Sequence, residues 1–362
     1  MRCSVDAADF TRAMGIVVRV AEKTTPIEIL KHARITASAG QLAVAATDMD
    51  LSVSVTLSAE VDADGVMVLP ASNLAGLVRT LDGRIGIEQL DDYWFRVVGG
   101  TSDVKLAGLD PQDYPALPDF PEELSKLPAA VLLPAIQRTL FIVEKRESST
   151  YPFVRVLVAA GRLSVSATDG HRLAASFADI TAPDMDVWLQ PAHARLLLDV
   201  GGEGDIEIAA TEDRVFSVAN GVRIAGMRPH GHPPSLDRAL MVAKDFTEAT
   251  VPTPDLKSAL SRISVMGRSS DRKAGVGVAI EVRKDAVILK TSGPTGQIVE
   301  TLKGSGKPGV MSFELEYLTQ FLATVEADSI TLCHGSDNER HCQWWPADGK
   351  DSHRYLIAQR RM

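Results

Sequence analysis

The chain has 362 residues, 45% of them apolar and 23% charged, with a net charge of −9. That is the composition of an ordinary globular protein, and without an apolar run of about 18 residues it offers no helical membrane span. At roughly 100 to 200 residues per domain the length predicts two or three domains, and the acidic balance argues against a chain coated all over in phosphate-binding groups.

The opening "MRCSVDAADF" carries acids and no apolar h-region, so neither a secretory signal nor a transit peptide is expected, and the chain is expected to stay in the cytoplasm. From Asp6, a plausible N-cap, Phe10, Ala13, Met14 and Val17 recur at helical spacing. Period-two sequence follows, then a second helix in "PASNLAGLVRTL" from Pro70. The pattern restarts after Pro134, read as a first-turn proline, with Ile136, Thr139, Leu140 and Val143, and again finds a second helix in "PAHARLLLDV" from Pro191. A third start follows "PTPD", where Thr253 and Asp255 are capping candidates ahead of Leu256, Ala259, Leu260 and Ile263, and its second helix lies in "FELEYLTQFLATV".

The repetition extends to individual residues. Gly40, Leu42, Val44, Ala46, Thr47 and Asp48 recur as Gly161, Leu163, Val165, Ala167, Thr168 and Asp169, all displaced by 121 residues. Val287, Leu289 and Thr291 form a faint third copy. This unit is too long for a solenoid, whose repeats run to roughly 20 to 50 residues, so three α+β domains are expected, with proline-marked joins near 115–128 and 244–254. The division predicted is 1–121, 122–247 and 248–362.

Three cysteines make no disulfide framework. In "CHGSDNERHC", Cys333, His334, His341 and Cys342 imitate a zinc site. Neighbouring strand residues point to opposite faces, however, so the stretch reads as a hairpin between "SITL" and "QWW", and no metal is expected. Asp169 and His171 in "ATDGHRLA" suggest an acid/base pair, but no GxSxG elbow, Walker loop or HExxH accompanies them. The first copy keeps Thr47 and Asp48 and replaces Gly-His-Arg by Met49, Asp50 and Leu51, which points to turn chemistry. An enzyme using Asp169 and His171 stays open as a lesser alternative.

Opposite its apolar stripe the first helix shows Arg12 and Arg19, and the second shows Arg138 and Lys145 at the same relative positions, with Lys23 and Arg146 just beyond. Lys257, Arg262, Arg268, Arg272 and Lys273 continue the theme in the third copy. Cations on one exposed helix face merely solvate it. Their recurrence suggests a phosphate-facing surface, and without a zinc finger, zipper or RNP motif the binding expected is to duplex backbone of any sequence.

"ATDGHRLA" in the second of three repeats, with "LAGLDPQDYPALP" before it, resembles the bacterial DNA polymerase III β subunit, the replicative sliding clamp. The resemblance implies a DNA clamp fold of three similar domains, two helices on β-sheet in each. Two chains would close into a six-domain ring around duplex DNA, giving the polymerase its processivity without catalysis or a cofactor. It implies that the helix cations, Arg79, Arg195 and Tyr151 face the nucleic acid. It implies partners that dock through short linear motifs: the polymerase III catalytic subunit, the clamp loader, and other polymerases and repair proteins.

Carried onto this sequence, the peptide groove would comprise Phe153, Thr168, Gly170, His171, Arg172, Leu173, Pro234, Arg238, Ala239, Tyr317, Leu356, Ala358, Gln359, Arg360 and Arg361. The apolar contact would come from Phe153, Leu173 and Leu356, flanked by donors from His171, Arg172 and Arg238. The family's C-terminal Met-Pro-Met-Arg reads Ala358, Gln359, Arg360 and Arg361, and its Phe-Pro-Asp-Tyr loop reads Pro233, Pro234, Ser235 and Leu236, so a polar, flexible wall is expected. Ring closure is expected between Val104 and Leu106 of an edge strand and Val265 and Met266 at the end of the third repeat's first helix. A specialised clamp copy for repair or a mobile element is the variant the resemblance leaves open.

Overall fold

The computed structural model describes residues 1–21, 24–91, 93–144, 151–229, 235, 239–240, 247–266, 275–293, 296–334, 341–347, 349 and 351–360. One order of elements is laid down three times. The first repeat runs β1 (Arg2–Asp6), α1 (Ala7–Val17), β2 (His32–Ser38), β3 (Gln41–Thr47), β4 (Leu51–Ser58), β5 (Glu60–Ala63), β6 (Gly65–Pro70), α2 (Ala71–Val78), β7 (Arg84–Gln89), β8 (Trp94–Gly99) and β9 (Ser102–Ala107). The second runs β10 (Ser125–Pro128), α3 (Ala129–Leu140), β11 (Val154–Ala159), β12 (Arg162–Thr168), β13 (Arg172–Asp179), β14 (Met185–Leu189), α4 (Pro191–Val200), β15 (Asp205–Ala210), β16 (Arg214–Ala219) and β17 (Val222–Met227). The third runs β18 (Thr247–Pro252), α5 (Thr253–Met266), β19 (Gly277–Val282), β20 (Ala286–Gly293), β21 (Gly296–Lys303), β22 (Ser305–Gly306) and β23 (Gly309–Glu314). It ends with α6 (Leu315–Ala323), β24 (Ser329–His334), β25 (His341–Pro346) and β26 (His353–Ala358). The α+β class is as the sequence predicts, and so, among the described residues, are the two helices of each repeat. Among the described residues no helix is long and apolar enough to cross a membrane.

By compactness the chain divides into two units, residues 1–130 with 195–228 and residues 131–194 with 229–362. The first unit holds a five-stranded sheet, β5-β1-β7-β8-β9, and an eight-stranded one, β10-β15-β16-β17-β4-β3-β2-β6. The second holds a nine-stranded sheet, β14-β11-β12-β13-β26-β25-β24-β18-β22, and a four-stranded one, β21-β20-β19-β23. The central repeat gives strands to both units, because its last strand β17 pairs with β4 while its strand β13 pairs with β26.

Local chemistry explains the elements. Asp6 Oδ1 accepts from the amides of Ala8 and Asp9 at 2.9 and 3.2 Å and so starts α1. Phe10, Ala13, Met14 and Val17 are fully buried, and each of the three larger side chains contributes about 1.5–3 kcal/mol of apolar burial. In both hairpins the alanine, Ala39 or Ala160, sits at φ 49° and the glycine of the repeat, Gly40 or Gly161, at φ 76°, the left-handed pair that joins strands in two residues.

One boundary differs from expectation. Helix α3 begins at Ala129, so Pro134 lies inside it and not in its first turn. Leu132 is buried, which extends the apolar stripe a turn earlier. Cys333 and Cys342 are buried on β24 and β25, as the hairpin reading requires. No metal-holding cluster occurs among the described residues.

In the second unit His353 stands on β26 opposite Ser176 of β13, 2% exposed, its Nδ1 3.2 Å from the Ala175 carbonyl and its ring stacked 5.5 Å from Phe321. Burial, reinforced by the charge of Arg138, holds its pKa down to about 4. Burial alone pushes His193 to about 3. The unfolded chain therefore takes up these protons first, and stability is lost as pH falls from about 6.5 toward 4. Replacing His353 by Gln should remove on the order of 3 kcal/mol of that acid sensitivity and leave the His193 part, read from urea midpoints across the pH range.

Candidate functional site

The β13–β26 joint begins at the turn that the repeat made conspicuous. Asp169 Oδ1 accepts from the amides of His171 and Arg172, both at 3.0 Å, and the Thr168 hydroxyl donates to the Arg172 carbonyl at 2.8 Å. The first repeat builds the same turn. Asp48 Oδ1 accepts from Asp50 and Leu51 at 3.0 and 2.7 Å, and Thr47 donates to the Leu51 carbonyl at 3.0 Å. The position after each aspartate is left-handed, φ 86° at Gly170 and 81° at Met49, so the glycine is what makes the second turn unstrained.

Arg172 differs from the donor expected at the rim. Its side chain is 3% exposed and its Nε donates to Asp169 Oδ2 at 3.0 Å. Its Nη1 donates to Gln320 on α6 at 2.6 Å, and its plane lies 4.3 Å from the Tyr317 ring and 5.5 Å from Phe141. Tyr355 stacks on Phe321 at 4.5 Å and donates to the Tyr317 carbonyl at 3.1 Å, and burial raises its own hydroxyl pKa well above the usual range. Arg172 is thus a buried pin between the turn and α6. Asp169 bonds the turn's backbone and Arg172, so the acid/base pair with His171 that an enzyme would need is not formed.

Beside this pin lies an apolar strip. Leu173, Ala175 and Leu240 form a buried cluster against which Phe177, Ala239 and Leu356 pack half-buried, with Leu173 directly opposite Leu356. His171 and Gly170 are exposed at one end. Phe153 is buried, stacked 4.9 Å from Trp188, and Tyr151 meets its edge at 6.4 Å. The C-terminal wall is anchored, not loose. The Ala358 amide donates to the His171 carbonyl at 2.8 Å, the Arg360 amide to Ser312 at 2.7 Å, and Arg360 Nη1 reaches the Gly275 carbonyl at 2.9 Å and Glu314 at 3.1 Å. Gln359, between them, is half-buried. Phe153, Thr168, Gly170, His171, Arg172, Leu173, Ala239, Tyr317, Leu356, Ala358, Gln359 and Arg360 therefore occupy one unit, and Pro234, Arg238 and Arg361 lie outside the described residues.

Of the helix cations, Arg12, Arg79 and Arg195 are exposed, while Arg138 is half-buried and close enough to His353 to depress it. Arg19 is ion-paired with Asp199 at the end of α4, and Arg262 is forked onto Glu300 of β21 with both bonds at 2.7 Å. That bond holds the Glu300 carboxyl below the usual range. Lys23, Lys145, Arg146, Arg268, Arg272 and Lys273 lie outside the described residues. On the edge strand β9, Val104 and Leu106 are half-buried, and Val265 on α5 is 67% exposed.

The threefold repeat, its helices and its shared sheets are those of the sliding-clamp fold. Residues 1–118 match the family model of the DNA polymerase III beta subunit, N-terminal domain. The beta sliding clamp of Bacillus subtilis (strain 168) is 25% identical over 354 residues, covering 92% of both chains. That of Staphylococcus aureus is 23% identical over 342 residues, covering 89% of this chain and 90% of the relative. The crystal structure of the Bacillus subtilis DNA polymerase sliding clamp superposes with a TM-score of 0.92 at 22% identity, over 100% of this chain and 99% of that one. The beta subunit from Streptococcus pyogenes gives 0.91 at 21%, over 100% of both. Residues 1–118 thus match the N-terminal domain of the DNA polymerase III beta subunit, the whole chain has the fold of these sliding clamps, and an enzyme built on Asp169 and His171 is not favoured.

Removing Arg172 strands a buried carboxylate. Arg172→Ala should cost about 3–5 kcal/mol in urea unfolding, and Arg172→Lys should recover little of it, since an ammonium cannot serve Asp169 and Gln320 while lying flat on Tyr317.

Proposed function

We propose that this chain is a non-catalytic sliding clamp acting in the cytoplasm. Two copies close head to tail around duplex DNA of any sequence, with the three repeats (1–121, 122–247 and 248–362) as its domains. The groove along Leu173 and Leu356 tethers the polymerase III catalytic subunit, the clamp loader, and other polymerases and repair proteins by short peptides.

One observation carries this reading: two joints share a register and leave a third unmade. At the first, Leu51, Val53 and Val55 of β4 oppose Gly226, Ile224 and Val222 of β17. At the second, Arg172, Ala174 and Ser176 of β13 oppose Ile357, Tyr355 and His353 of β26. In each, the last strand of one repeat pairs with the eight-residue fourth strand of the repeat before it. The strands left over are β9, last of the first repeat, and β21, fourth of the third, each at the edge of its sheet. The same register sets Gly296 opposite Leu106, Ile298 opposite Val104 and Glu300 opposite Ser102 of a second copy.

The central pair at the existing joints is fully buried, Val53–Ile224 and Ala174–Tyr355, whereas Val104 and Ile298 are half-buried, as an open joint leaves them. Free edges invite pairing, and closure satisfies them. The sequence pointed to β9 and to Val265 but missed β21, although "GQIVETLK" keeps the Thr-Leu of "LSVSVTLS" at an offset of 245.

The double change Val104→Lys with Ile298→Lys, or a charge at Val265, should yield monomers in sedimentation, and an unchanged dimer would refute the register. A short peptide that buries one or two leucine or phenylalanine side chains should bind with micromolar affinity, on the order of −8 kcal/mol. Ala358 and Gln359, which offer less apolar surface than a Met-Pro pair, should weaken it by ~1–2 kcal/mol. Leu173→Asp should abolish the calorimetric signal. Binding that survives would place the groove elsewhere.

A further inference from the structure

The arginines on the helix faces are not equally available to a phosphate. Arg12 and Arg79 are exposed, and no hydrogen bond or ion pair engages either of them among the described residues. Arg19, two residues past α1, instead donates from Nη1 to Asp199 Oδ2 in the last turn of α4. The two side chains are 54% and 29% exposed, so the pair is open to whatever approaches that face. A phosphate reaching Arg19 meets a cation that already holds a carboxylate. Either the pair breaks and leaves Asp199 repelling the DNA backbone, or it persists and Arg19 makes no contact.

We propose that Asp199 is a built-in counter-ion that discounts Arg19 and loosens the hold of the helix face on duplex DNA, an inference that rests on the sliding-clamp reading. Contacts that break easily suit a protein that must travel along its duplex. The third repeat arrives at the same arrangement with different residues, since Arg262 is forked onto Glu300, whose side chain is 16% exposed. In two repeats, then, a cation of the face is matched by a carboxylate supplied from a neighbouring element.

The test is salt-dependent binding of the intact protein to a fluorescent mixed-sequence duplex, with Asp199→Asn, Arg19→Ala and the double change. Asp199→Asn is expected to bind about two- to fivefold more tightly at low salt. It should also steepen the log–log salt dependence by up to about 0.9 per chain. Arg19→Ala should cost little in the native background and clearly more in the Asp199→Asn background, while Asp199→Glu, which keeps the charge, should stay near native. Thermal melting checks that each variant folds, and Asp199→Ser substitutes if the asparagine does not. If the native protein binds the duplex and neither neutral variant changes affinity or slope, the counter-ion role is overturned. If the native protein binds no duplex at any salt, the clamp reading falls and the counter-ion with it.

Discussion

The pairing of a repeat's last strand with the fourth strand of the repeat before it is the interaction on which the molecule depends. It makes a repeat incomplete alone, because β4 and β13 would otherwise be bare edges with buried-type residues such as Val53 and Ala174 at their centres. Sharing sheets in this way also explains why compactness cuts across the repeats. The apolar strip is a by-product of the same pairing, since Leu173 and Leu356 face each other only because β13 and β26 are in register.

Local chemistry was legible in the sequence and distant partners were not. The Asp48 and Asp169 turns could be read because each aspartate bonds amides two and three residues on, and the first helix because its cap and stripe lie within twelve residues of each other. Pro134 misled because first-turn proline is the commoner use, while here the stripe starts earlier, at Leu132. The anchoring of the C-terminal wall was invisible, as Arg360 finds Ser312, Gly275 and Glu314 more than forty residues away. Arg172 was read as a rim donor because nothing local tells that Gln320 and Tyr317 will enclose it.

Charge is distributed on the same principle. In a chain of net −9 carboxylates outnumber cations, so the local charge of a surface depends on which arginine each carboxylate holds. Asp169 fixes a turn and a buried arginine, while Asp199 and Glu300 each hold a surface arginine. The first of these is buried and acts on stability, and the other two lower the positive charge that their arginines present at the surface.

The β4–β17 pairing carries a consequence for biosynthesis. Leu51 and Gly226 are neighbours in the sheet but lie 175 residues apart in the chain. At ribosomal speeds of about 5–20 residues per second, the nascent β4 waits roughly 10–35 s with one edge unpaired before β17 emerges. For that interval an apolar strand is open to any other chain, so the first repeat reaches its native edge only after the second has been translated, and crowded polysomes are where this protein is most exposed to mispairing.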